Sequence, residues 1–194
     1  MTRRSDLLRK TKETEIKVSL NVEGEGKYRI VTPVPFLNHM LELFAKHGNF
    51  DLEIEATGDV NVDPHHTVED LGYALGASFY EALGDKRGVN RYGYALIPMD
   101  ETLCLFALDL SGRPHLAVKG SLKGFAGSFD TGLIVDFFWA FVNESKMTIH
   151  IHILSGRNPH HKIEAIFKAF GKAMRMAVDA SEKQGDIPST KGVL

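Results

Sequence analysis

Cysteine is nearly absent from this chain: Cys104 stands alone among 194 residues. One thiol can close no internal disulfide and build no Cys-based zinc site. Its place in the apolar run Thr102-Leu103-Cys104-Leu105-Phe106 marks it as a small buried hydrophobe. Net charge is also scarce. At −2 near neutral pH it gives no bulk attraction for nucleic acid or an anionic membrane. No apolar run approaches transmembrane length, and the opening MTRRSDLLRK has no apolar segment of a secretory signal behind it. A protein of the cytoplasm is therefore expected. The apolar fraction of 43% is that of a globular chain, which excludes disordered, collagen-like and coiled-coil classes.

Histidine, in contrast, is plentiful, and its placement organises everything else. Pro159-His160-His161-Lys162-Ile163-Glu164 opens an apolar-periodic run, and Pro64-His65-His66-Thr67-Val68-Glu69 does the same in the first half. On a helix beginning at each pair, the first His and the Glu are four apart and the second His and the Glu three apart. Side chains at either spacing share one face. Each copy gathers imidazole nitrogens and a carboxylate oxygen, donors that Mn, Fe, Ni, Co or Zn accept.

Patterning around the two copies matches. Strands are expected over Thr11–Val22 and Tyr28–Val31, the second pairing back on the first as a hairpin, then a helix over Phe36–His47. Phe50–Ala56 alternates as a strand, and a turn-rich loop leads to the first motif and a helix ending near Leu83. The second half offers strands over Tyr92–Ile97, Thr102–Asp109 and Leu116–Val118, and a loop over Lys119–Ser128. A helix from Gly132 to Asn143, capped by Asp130-Thr131, follows. A strand over Lys146–Leu154 and a motif helix reaching Glu182 complete it. The shared order is that of an internal duplication, with sheets covered by helices on one face. Boundaries fall at 1–88 for the first half, 89–184 for the second and 185–194 for a C-terminal tail.

His65, His66, Glu69, His160, His161 and Glu164 are the principal candidates for metal binding. His39, beside Leu37, Met40 and Leu41, reads on its own as a core or rim histidine. Asp136 lies among Ile134, Val135, Phe137 and Phe138, where an acid needs a metal or an arginine as partner. Candidate grips for an anionic substrate are Arg91, Arg113, Lys168 and Lys191, with Ser189 and Thr190 as hydroxyl donors. From the residues alone this is a duplicated metal enzyme acting on an anionic small molecule. A metal-dependent hydrolase of phosphorylated metabolites and a non-catalytic metal shell remain open alternatives.

Several separated segments carry a resemblance to a known family. They are Thr11-Lys12-Glu13-Thr14, Phe36-Leu37-Asn38-His39-Met40-Leu41, the two His-His motifs, Arg91-Tyr92-Gly93, Pro98-Met99-Asp100-Glu101, Ser111-Gly112-Arg113-Pro114 and Pro188-Ser189-Thr190-Lys191-Gly192. In this order they resemble the imidazoleglycerol-phosphate dehydratases of histidine biosynthesis over essentially the whole chain. The resemblance implies an α+β fold of the ribosomal protein S5 domain 2-like kind, a duplicated unit with helices between two four-stranded sheets. It implies a lyase that removes water from D-erythro-1-(imidazol-4-yl)glycerol 3-phosphate to give 3-(imidazol-4-yl)-2-oxopropyl phosphate. It also implies an octahedral homo-oligomer of 24 subunits built from trimers, with active sites between subunits and two Mn(II) per site.

Carried over residue by residue, the implied metal ligands are His39, His65, His66, Glu69, His160, His161 and Glu164. Asp136 stands where the family often has a further histidine, a departure that leaves its role open. The implied phosphate contacts are Arg91, Arg113, Lys168, Ser189 and Lys191. Glu13 is the implied proton-transfer acid, with Glu69 and Glu164 as further carboxylates at the reacting centre. The proton lost sits on a carbon that no carbonyl activates, so the implied task of the metals is to stabilise negative charge on the substrate imidazole.

Overall fold

Period-two alternation and 3.6-residue apolar stripes divide the chain into two halves of the same design. The computed structural model describes residues 3–179, 187–192 and 194. The first half runs β1 (Arg4–Lys10), β2 (Thr14–Asn21), β3 (Tyr28–Val31), α1 (Pro35–Gly48), β4 (Asp51–Gly58) and α2 (His65–Leu83). The second runs β5 (Tyr92–Met99), β6 (Thr102–Asp109), β7 (His115–Lys119), a small hairpin of β8 (Phe125–Ala126) and β9 (Phe129–Asp130), α3 (Leu133–Ser145), β10 (Thr148–Ser155) and α4 (Pro159–Val178). Each half forms a four-stranded sheet, ordered β1-β2-β4-β3 and β5-β6-β10-β7. The four helices pack between these sheets in an α+β fold.

Three expectations need correction. β3 does not fold back on β2; it pairs parallel with β4, Tyr28 opposite Leu52 and Ile30 opposite Ile54. α1 connects β3 to β4, and a crossover helix delivers a parallel neighbour where a tight turn would deliver an antiparallel one. Second, β1 precedes the first strand that the alternation predicts. It is an edge strand rich in Arg and Lys, a composition that blunts an exposed edge and hides its alternation. Third, Gly132 rather than Asp130 or Thr131 holds the cap position of α3. Asp130 instead accepts the Gly132 amide at 2.8 Å, and the Thr131 hydroxyl turns back to the carbonyls of Leu122 and Gly124. β8 adds a short strand inside the expected 119–128 loop. The helix end expected at Glu182, the 184/185 boundary and part of the tail lie outside the described residues; α4 is described to Val178.

One phenylalanine from each helix meets at the centre. Phe44 of α1 stacks on Phe170 of α4 at 4.3 Å between ring centroids. Phe170 meets Phe141 of α3 at 5.1 Å, Phe141 meets Phe79 of α2 at 6.1 Å, and Phe79 returns to Phe44 at 5.8 Å. All four are fully buried. Burial of each contributes about 1.5–3 kcal/mol, with about 0.5–1.5 kcal/mol more per well-placed aromatic pair.

The helices pair across the halves, α1 with α4 and α2 with α3. Glycine permits both approaches. Eleven residues after the first His of its motif, each motif helix carries a glycine, Gly76 or Gly171. A Cβ on Gly76 would lie 2.5 Å from the Phe141 carbonyl oxygen, and one on Gly171 would lie 2.6 Å from that of Phe44. The backbones touch where any side chain would hold them apart.

Candidate metal centre

Close helix pairing sets the N-terminal turn of each motif helix against the opposite half. His39 of α1 faces α4, its ring centroid 6.2 Å from that of His160. His160 Nε2 is in turn 3.2 Å from Glu164 Oε2. One ligand atom from each of His39, His160 and Glu164 lies within 4.8 Å of the others. The mirror arrangement holds in the other pair: Asp136 of α3 faces α2, with Oδ2 3.6 Å from His65 Nδ1. Asp136 thus occupies on α3 the place that His39 occupies on α1. His39, read from the sequence alone as a core or rim residue, is exposed and belongs to a cluster.

Glu164 is buried, which would raise its pKa. The ammonium of Lys168, with Nζ 2.6 Å from Glu164 Oε1, and the nearby His160 and His39 outweigh this and hold the carboxyl below the ordinary value. It is ionised and able to bind a cation. Glu69, the copy in α2, is half-buried one turn along from His65.

The second histidine of each pair meets a carboxylate that sequence reasoning missed. His66 Nδ1 lies 3.0 Å from Asp59 Oδ2 and 3.7 Å from Glu13 Oε2; Glu13, Asp59 and His66 form a second group able to hold a cation. His161 Nδ1 lies 2.8 Å from Glu101 Oε2. These hydrogen bonds raise the pKa of both histidines, and Glu101 is drawn down to about 2 by His161 and by the Asn158 and Arg157 amides. One signal was available. Glu13-Thr14 and Glu101-Thr102 repeat the same dipeptide at the start of the second strand of each half.

The candidate anion grips fall in a different place. Arg91 donates Nε–H to Asp109 at 2.7 Å and Nη1–H to the Pro188 carbonyl at 2.8 Å, so the tail segment bearing Ser189 and Lys191 lies beside it. Gly112, next to Arg113, lies against Leu194 at the chain end. The Arg91 amide donates to the Ala177 carbonyl near the end of α4. Lys86, just past α2, donates to the carbonyl of Leu110, whose own amide donates to the Arg91 carbonyl. This cluster therefore sits at the C-terminal ends of both motif helices. Helices of 19 and 20 residues separate it from the histidine pairs by roughly 25 Å. Lys168 is not part of it and lies with Glu164. Cys104 is fully buried and its thiol is pushed up to about 12 by that burial, so it takes no part.

The family model for imidazoleglycerol-phosphate dehydratase matches residues 32–174. The chain is 51% identical to the imidazoleglycerol-phosphate dehydratase of Bacillus licheniformis over 99% of its own length and 100% of that protein's. It is 52% identical to the one from Desulforamulus reducens, with both chains fully covered. Among solved structures, that of the Pyrococcus furiosus protein superposes with a TM-score of 0.85 at 39% identity, covering 97% of this chain and 100% of that one. The Staphylococcus aureus structure gives 0.83 at 41% identity, covering 92% and 99%.

Proposed function

The chain belongs to the imidazoleglycerol-phosphate dehydratase family and is a lyase of histidine biosynthesis, and we propose how its own residues perform the dehydration. The reading rests on one observation: each His-His-x-x-Glu motif is faced by a ligand-type side chain from the other half, His39 against His160 and Asp136 against His65.

The donor set fits divalent metal ions. Imidazole nitrogens of His39 and His160 converge with an ionised Glu164, the mixed nitrogen and oxygen set that such ions accept. We assign His39, His160, His161 and Glu164 to one group of ligands and His65, His66, Glu69 and Asp136 to the other. Two Mn(II) per site suit such hard and borderline donors. Bound there, the metals supply positive charge that stabilises electron density gathering on the substrate imidazole.

The remaining work belongs to the chain. Arg91, Arg113, Ser189 and Lys191 bind the phosphate, and Lys168 lies beside the metal ligands, where it also meets substrate negative charge. Glu13, 53% exposed in its side chain, moves the carbon-bound proton. Loss of one carbon-bound proton and one hydroxyl yields water and an enol, which becomes the ketone.

The separation of roughly 25 Å that the motif helices set between the histidine pairs and the Arg91 cluster exceeds the reach of so small a substrate. The site is accordingly completed between subunits of a homo-oligomer, which we take to be the family's assembly of 24. No helix among the described residues is long and apolar enough to cross a membrane, consistent with the cytoplasmic setting of this reading.

Glu13→Gln tests the proton-transfer assignment. Turnover should fall by about 10²–10⁴-fold with metal content unchanged. Turnover near that of the unaltered enzyme would remove Glu13 from the chemistry.

A further inference from the structure

The two halves agree in where they place a glutamate and differ in what holds it. Glu13 and Glu101 each close the turn between the first two strands of a half, directly before Thr14 and Thr102. Glu13 is exposed, and its carboxylate stands off His66 at 3.7 Å. Glu101 is fixed at both oxygens. Oε1 accepts the backbone N–H of Arg157 at 3.1 Å and of Asn158 at 2.8 Å, while Oε2 accepts from His161 Nδ1 at 2.8 Å. The Ser155 hydroxyl donates to the Glu101 carbonyl at 3.2 Å. The loop lies so close that a Cβ on Gly156 would come within 2.4 Å of Thr102 Oγ1.

In the first half the loop before the motif helix supplies its own acid, Asp59, at 3.0 Å from His66 Nδ1. In the second half that loop, Ser155-Gly156-Arg157-Asn158, contains no carboxylate. Glu101 reaches in from the β5–β6 turn and fills the same place. The duplication has exchanged duties: the loop acid frees Glu13 in one half, and the turn acid is bound in the other.

An imidazole that donates Nδ1–H to a carboxylate is held in one tautomer, with the Nε2 lone pair free and aimed away. We propose that Glu101 is a positioning residue that fixes the tautomer and ring orientation of His161, so that its Nε2 is presented to the metal. Asp59 does the same for His66. The inference rests on reading His161 as a metal ligand.

The test is Mn(II) titration of chelated protein, counting free aquo ion by electron paramagnetic resonance, for the unaltered protein, His161→Ala, Glu101→Ala and Glu101→Gln. Glu101→Ala should bind one class of Mn(II) about 10–100-fold more weakly, and its turnover should return at saturating Mn(II). Glu101→Gln keeps an oxygen that accepts Nδ1–H but loses the charge, and should fall between. His161→Ala should lose that class of site. If Glu101→Ala binds like the unaltered protein, or binds weakly but stays inactive at saturating metal, Glu101 does not act by positioning. His161→Ala would still report on the metal reading, and unaltered binding by that variant would overturn the reading itself. Should Glu101→Ala fail to fold, Glu101→Gln decides: severalfold weaker binding supports the assignment, and equality overturns it.

Discussion

Asp136 Oδ2 lies 3.6 Å from His65 Nδ1, on the helix that corresponds to the one carrying His39. A carboxylate therefore stands in the second half where the first half has the His39 imidazole. Asp136→Asn should weaken Mn(II) binding about tenfold or more, whereas Asp136→His should retain it, because either an imidazole or a carboxylate suits the ion. Metal titration of the two purified variants checks this, and equal loss in both would make Asp136 merely structural.

Gly171 links packing to the site. A methyl there would press on the Phe44 carbonyl and on the Gly48 amide at 2.9 Å, backbone atoms that cannot turn aside. Gly171→Ala should cost about 1–3 kcal/mol in denaturant unfolding. By separating α1 from α4 it should also move His39 off His160 and weaken metal binding, although residue 171 touches no ligand.

The raised pKa values of His66 and His161 give a signed pH dependence. In metal-free protein the His161–Glu101 pair stabilises the fold fully above the ordinary Glu value of 4.5 and below the ordinary His value of 6.5. That contribution is lost as pH falls toward about 2 or rises through the raised histidine value. Metal binding needs neutral imidazole and runs the other way. The increase in melting temperature on adding Mn(II) should shrink as pH is lowered from about 8 to about 6, with a midpoint above that of free histidine. An increase independent of pH would exclude these histidines as ligands.

Separation of the Arg91 cluster from the histidine pairs predicts complementation. Arg91→Ala and Glu164→Gln should each be inactive alone. Dissociated, mixed in equal amounts and reassembled with Mn(II), they should recover about one working site in four if each site takes Arg91 and Glu164 from different subunits. No recovery in verified mixed assemblies would place both residues of a site on one chain.

Much of this was legible in the sequence because periodicity reports faces. The alternation in β4 and β10 and the stripes of α1 to α4 each follow from burial on one side. Neighbours are another matter. Tyr28–Val31 reads as a strand, but nothing in its four residues says that it lies beside β4 rather than β2. β1 escaped because Arg4, Asp6, Arg9 and Lys10 suit an edge and mask its register. Among the site residues, the His-His-x-x-Glu copies declare themselves through local spacing. Asp59 and Glu101 act on His66 and His161 through tertiary contacts, the latter across 60 residues, so only the repeated Glu-Thr pair hinted at Glu101. Charge alone groups Lys168 with the other cations, whereas its place on α4 pairs it with Glu164.

In the proposed site the paired motifs hold the metals and a neighbouring subunit supplies the phosphate grip. Anomalous scattering at the Mn edge, on crystals grown with Mn(II) and substrate, tests it directly. Two Mn positions per chain are expected, one at His39, His160 and Glu164 and one at His65 and Asp136, with the substrate phosphate held by Arg91 of a different subunit. Manganese bound away from these residues, or a phosphate held by Arg91 of the same chain, would contradict it.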